Sequence, residues 1–227
     1  MRIMLDGKWN FLDEQGNTLS DQWFDWSDTF YEGVARIKLN GRWNFINKQG
    51  NFISKQWFDY CTEFHECFGI VKLNKKWNYI DKQGNLLSNQ WFDNCGSFSE
   101  GLAVVQLNGR RNCIDKQCKY LSDQWFDECF NFRKGFATVK LSDKWNFINK
   151  QGNILSKQWF DGCDNFHDGF AAVILKDKWN FIDCHGYLLS DTWFEWCSEF
   201  NNGMADIIIN RKHRVINEKG EIVNGTN

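Results

Sequence analysis

The chain has no long apolar run. Its longest, Phe170 to Leu175, is far too short for a membrane-crossing helix, which takes about 20 apolar residues. It has little net charge, −2 with a pI near 6.1, so no overall basic field draws it to nucleic acid or to an anionic membrane. The opening Met1-Arg2-Ile3-Met4-Leu5-Asp6 lacks the apolar stretch of a signal peptide, and the expectation is a soluble, cytoplasmic chain. There is no phosphate loop, no paired-cysteine zinc pattern and no nucleophile elbow. Histidine is scarce. Of His65, His167, His185 and His213, only the first two share a position in the pattern described below, so surface or turn roles are expected rather than a metal or acid–base site. No catalytic, cofactor-binding or metal-binding residue is therefore assigned. Proline is absent altogether, and we have no physical account of that.

What the chain does have is a fixed period. Trp9, Trp43, Trp77, Trp145 and Trp179 recur every 34 residues, with Arg111 and His213 where two more would fall. Trp23, Trp57, Trp91, Trp125, Trp159 and Trp193 form a second series at the same spacing. Such a period marks a repeat architecture. Residues 1–227 read as one array of about 6.7 copies, and the last, at about 204–227, is degraded: His213-Arg214-Val215 replaces Trp-Asn-Phe. A polar terminal copy suits an open array that must cover its exposed end.

Within a copy, Ala35, Ile37 and Leu39 keep their apolar character in later copies while Arg36 and Lys38 vary, which predicts a strand with one face in the core. Asn40-Gly41 supplies a two-residue hairpin turn with positive φ, and Arg42 to Asn47 is the returning strand. Asn47 to Asn51, with Gly50 in fourth place, predicts a type I turn closed by a glycine bulge, followed by a short third strand at Phe52-Ile53-Ser54. The connector, Lys55 to Glu66, has apolar residues at Trp57, Phe58, Cys61 and Phe64. An irregular or briefly helical segment is favoured there, a strand with an irregular connector fits nearly as well, and the Phe30/Phe64/Phe98 series is a core anchor in either case.

The series Lys48, Lys82, Lys116 and Lys150 and the series Asp25, Asp59, Asp93, Asp127 and Asp161, followed by Glu195, would repel if equivalent residues stacked about 4.8 Å apart, as in a thin β-helix. Separate small sheets are favoured. The fold class is all-β: tandem antiparallel three-stranded meanders in an open superhelical or solenoid array. A closed, β-propeller-like ring is the alternative.

Nine cysteines, an odd number, argue against a full disulfide scheme. Cys61, Cys95, Cys129, Cys163 and Cys197 share one position, held by Ser27 in the first copy, and read as a semi-buried packing column in a reducing compartment. The aspartate after each Trp-Phe is expected to accept hydrogen bonds from its own connector. The cations Lys8, Arg42, Lys76, Arg110, Lys144, Lys178 and Lys212 could track an anionic polymer, but pairing with nearby acids is expected instead.

The residue after that aspartate changes freely: Trp26, Tyr60, Asn94, Glu128, Gly162, Trp196. A core position could not take that range, so exposure is expected, and Trp26, Tyr60, Asn94, Glu128 and Trp196 are the candidate partner-binding residues. Trp26 and Trp196 have an alternative role as covers for the ends of the array. The copy at Arg111 to Leu121 is anomalous, with Arg111, Cys113 and Cys118 replacing Trp, aromatic and Gly.

The order Trp77-Asn78-Tyr79-Ile80-Asp81-Lys82-Gln83-Gly84, then Trp91-Phe92-Asp93, then Phe98-Ser99-Glu100-Gly101-Leu102-Ala103-Val104-Val105 resembles the WG-containing repeat family, found largely in bacteria. The resemblance implies a β-rich interaction array without an assigned reaction. One departure is that the family's glycine after Trp is Asn10, Asn44, Asn78, Asn112, Asn146 and Asn180 here, a swap consistent with a left-handed or bulged residue. The function expected is a non-enzymatic scaffold that binds another protein, with a glycan- or cell-wall-binding module as the alternative. Neither nucleic acid nor membrane is expected as a partner.

Overall fold

The structure, a computed structural model, describes residues 1–223; the last four residues of the degraded terminal copy lie outside the described residues. It is all-β, with no helix among the described residues, and is built of small separate antiparallel sheets. Hence no helix in it is long and apolar enough to cross a membrane. The chain divides into two compact units, one of Met1–Gly109 with Ile114–Lys119, the other of Arg110–Cys113 with the residues from Tyr120 on.

The second copy shows how each sheet forms. Val34–Leu39 pairs with Arg42–Asn47 in strict antiparallel register, Leu39 opposite Arg42, so the loop is two residues long. Asn40 and Gly41 both have positive φ, 50° and 79°, as the twist-matched hairpin turn requires. At the next turn, Gly50 N–H donates to the Asn47 carbonyl at 3.0 Å, and the Asn47 side-chain oxygen accepts N–H bonds from Gln49 and Asn51. Gly50 is required twice over. Its φ is 82°, and a Cβ there would overlap the carbonyl oxygen of Leu19 in the preceding copy.

Two expectations need correction. The third strand does not lie at Phe52-Ile53-Ser54, which reaches only a single bridge, Ile46 opposite Phe52, and one backbone bond from Ile53 to Phe45. Only the last copy extends this into a strand, Ile222–Val223. The first sheet, Arg2–Leu5 with Lys8–Phe11, has two strands, and in each later meander the third strand comes instead from the connector. Trp26–Ser27 pairs with Lys38 and Ile37, and Tyr60–Cys61 pairs likewise with Lys72 and Val71.

Nor is the connector helical; the alternative of a strand with an irregular lead-in describes it. Tyr31 and Val34 close a second two-residue turn at Glu32-Gly33, φ 48° and 88°, so the connector runs back along the strand that follows it. In the fifth connector, Gly162–His167 is one strand with a register shift between Cys163 and Phe166. That bulge turns the anchor phenylalanine inward and produces the apolar spacing that resembled helical turns.

The core lies between neighbouring sheets. Val34 and Phe45 of one sheet pack with Phe58, Cys61, Phe64, Val71 and Ile80 of the next. In the second unit, Phe147 packs with Phe160, Phe166, Val173 and Ile182 in the same way. The hairpin aromatic meets the connector anchor in ring contact: Phe45–Phe64 at 4.9 Å and Phe147–Phe166 at 5.0 Å. Such pairs contribute about 0.5–1.5 kcal/mol beyond area burial.

Candidate functional site

The frame beneath the variable position is polar as well as aromatic. Asn10, Asn44, Asn78, Asn112, Asn146 and Asn180 are fully buried, and none has positive φ. The left-handed expectation for them is therefore wrong. The Asn44 amide nitrogen donates to the Ser54 carbonyl at 2.8 Å, and its oxygen accepts the Phe45 N–H at 2.8 Å. The bond recurs from Asn78 to Ser88, Asn112 to Ser122 and Asn146 to Ser156, tying each hairpin to the start of its connector. In the sequence this bond is marked by the constant pairing of each Asn with a Ser ten residues on, from Asn10 and Ser20 to Asn180 and Ser190.

The aspartates also depart from expectation. Asp59 Oδ2 accepts the backbone N–H of Asn74 at 2.7 Å, in the hairpin turn that follows, rather than a bond within its own connector. Asp93 takes Asn108 and Asp127 takes Ser142 in the same way. Such turns project an unpaired N–H that a carboxylate 15 residues upstream can reach. The other carboxylate oxygen pairs with the hairpin cation 17 residues earlier: Lys8 with Asp25, Arg42 with Asp59, Lys76 with Asp93, Arg110 with Asp127 and Lys144 with Asp161. The lysine bond, with the turn N–H, holds Asp25, Asp93 and Asp161 below the usual carboxylate range.

The cysteine column lies in the packing between sheets, and burial pushes the thiols of Cys61, Cys95, Cys163 and Cys197 up to about 12. Ser27, at the same position, is fully buried, and its hydroxyl finds no hydrogen-bond partner among the described residues. His167 and His213 sit on the surface beside Glu199 and Asp206, each at 3.2 Å.

Against this frame the variable residues line up beside the hairpin tryptophans. Tyr60 and Trp196 are about 40% exposed and Asn94 is exposed. Trp26 and Glu128 are only half-buried, short of the expected full exposure. The cause is contact with the neighbouring hairpin. In the first unit, Trp26, Trp43, Tyr60 and Trp77 form an unbroken edge-to-face ladder with ring centroids 5.2, 5.7 and 6.1 Å apart. Cations cover its faces: Arg36 lies 5.4 Å from the Trp26 ring, Lys38 5.3 Å from Trp43 and Lys72 4.8 Å from Trp77.

In the second unit the same two positions hold Arg111 and Glu128, which form an ion pair at 2.7 Å. A cleft of about 380 Å³ lies beside Trp145, lined also by Phe130, Arg133, Thr138 and Asp164. Phe130 stacks on Trp145 at 6.1 Å. Trp196 lines a second cleft of about 300 Å³ with Trp179, Phe200 and His167. The variable position therefore shapes the surface locally, as a ring or as half of an ion pair. This edge offers contact chemistry; the described residues bring no nucleophile and base together along it.

The family model for the WG containing repeat matches residues 11–43, 45–77, 79–110, 126–145 and 147–179, passing over the anomalous hairpin. No curated protein sequence matches the chain. Among solved structures, KlHsv2 from Kluyveromyces lactis with loop 6CD replaced by a Gly-Ser linker is similar at 10% identity and a TM-score of 0.42, over 93% of this chain and 86% of that one. Apo AztD from Citrobacter koseri is similar at 10% identity and a TM-score of 0.41, over 89% and 74%. Neither score is high enough to carry an argument about fold or function.

Proposed function

The chain belongs to the WG-containing repeat family, and from that premise we propose that it is a non-enzymatic scaffold that binds another protein through the variable edge at Trp26, Tyr60, Asn94, Glu128 and Trp196. The observation that carries this reading is the contrast between a constant frame and a variable edge set beside it. The edge offers aromatic rings, guanidinium and carboxylate groups, the side chains enriched where protein interfaces concentrate their energy. A glycan reading is disfavoured by the ladder itself. A sugar stacks on an open flat ring, whereas these rings meet edge to face, with Arg36, Lys38 and Lys72 over them. Nucleic acid is disfavoured because the hairpin cations are engaged by aspartates and the net charge is −2.

The test is affinity capture from native lysate with quantitative mass spectrometry. The wild type is compared with a Trp26→Ala/Tyr60→Ala/Trp196→Ala variant shown to be folded by circular dichroism. A protein enriched on the wild type and lost on the variant supports the proposal. A partner retained by the variant moves the interface off this edge, and glycan binding without any protein partner overturns the reading.

A further inference from the structure

In the anomalous copy two sulfurs meet. Cys113 lies in the strand Arg110–Asp115 and Cys129 in the short strand Glu128–Cys129. Their Sγ atoms are 3.1 Å apart, about 1 Å beyond a disulfide bond length of about 2.05 Å. Both side chains are buried, at 2% and 3% exposure. The position of Cys113 is aromatic in the other well-formed copies, as Phe11, Phe45, Tyr79, Phe147 and Phe181, and here a thiol takes the place of the ring and touches the sulfur of the cysteine column. All nine cysteines are free thiols in the structure.

We propose that Cys113 and Cys129 are a redox pair that closes to an intrachain disulfide when a small-molecule disulfide is the oxidant. The thiolate of one cysteine attacks a sulfur of the small disulfide, breaking its S–S bond and releasing one small thiolate. The second cysteine's thiolate then attacks the protein-side sulfur of the mixed disulfide and releases the other. Two protein thiols are oxidised, the small disulfide is reduced to two thiols, and those thiols carry away the two protons. Access comes through local opening, because the Glu128–Cys129 strand is held by only two residue pairs, to Lys140 and Val139. The bond links the strands that carry Arg111 and Glu128, so oxidation fixes that part of the variable edge. The inference stands on the sulfur geometry and does not depend on the edge being a binding surface.

The experiment uses the full chain with the exposed Cys67→Ser and Cys184→Ser changes, which remove the two most accessible competing thiols. The chain is reduced, unfolded, and refolded in a buffer of glutathione disulfide and glutathione, then alkylated and mapped by mass spectrometry. The expected result is a Cys113–Cys129 linked peptide and two fewer alkylatable thiols than the reduced control, restored by dithiothreitol. The link should be lost in Cys113→Ser and kept in Cys118→Ser. Free Cys113 and Cys129 after oxidative refolding would overturn the proposal, as would a link from Cys95 to Cys118 in their place.

Discussion

The hairpin strands Arg42–Asn47 and Arg110–Asp115 have nearly the same backbone and very different side chains. Trp43 pairs through its backbone with Phe58, at 2.8 and 2.9 Å, and Arg111 pairs with Phe126 at the same two distances. Asn44 and Asn112, both buried, make the same bond to a serine carbonyl at 2.8 Å. Above that shared frame, Trp43 meets Tyr60 ring to ring, while Arg111 meets Glu128 as an ion pair. The tryptophan for which the pattern is most conspicuous is thus dispensable to the strand. The inconspicuous asparagine and the phenylalanine opposite are kept in both, and both are fully buried at their sites. In this molecule the frame lies underneath, and the outermost ring can be exchanged together with its neighbour.

If that division is right, Phe58→Ala and Phe126→Ala should each lower unfolding free energy by about 3–5 kcal/mol, alike in the two copies. Urea denaturation reads this directly, and a small loss in the anomalous copy alone would mean that its frame is not equivalent. Gly84→Ala should cost about 2–3 kcal/mol, since a Cβ there would overlap the Ile53 carbonyl at a φ of 88°. Cys118, which holds the equivalent place at a φ of 62°, should by contrast yield a gain of about 1 kcal/mol when changed to Gly.

Ser27→Cys, which places the column's usual residue over a buried unpaired hydroxyl, should stabilise by about 1 kcal/mol in the same assay. A double-mutant cycle of Trp43→Arg with Tyr60→Glu should recover a coupling of about 0.5 kcal/mol, transplanting the ion pair of the other hairpin. Zero coupling would separate the two positions. The smallest effect is that of pH. Asp25, Asp93 and Asp161 have carboxyl pKa values depressed by folding, so their contribution is present above the ordinary aspartate value and is lost as pH falls below about 4. The corresponding Asp→Asn changes should flatten the acid limb of a stability–pH curve.

Much of this was legible because a repeat compares itself with itself. Alternation at Ala35, Ile37 and Leu39 disclosed the strand face, and Asn40-Gly41 disclosed its turn. The connector's strand was not the favoured reading, because a bulge such as that between Cys163 and Phe166 shifts the side-chain period away from two and mimics helical spacing. Glu32-Gly33, unlike Asn-Gly, carries no strong turn signal. The Asn44 error came from treating asparagine as a conformational substitute for glycine, when its amide is the reason it is there. At the candidate edge, variability pointed to Tyr60 and Trp196 but not to their partners. A ladder running through Trp43 depends on how successive sheets pack, which no single copy encodes.

The most direct test of this division between frame and edge is the unfolding free energy of Asn44→Gly, which installs the family's usual residue. The buried amide predicts a loss of about 2 kcal/mol, because the buried Phe45 N–H and the part-buried Ser54 carbonyl both lose their partner. An unchanged or raised stability would contradict it, returning the position to backbone conformation and the frame to the tryptophans.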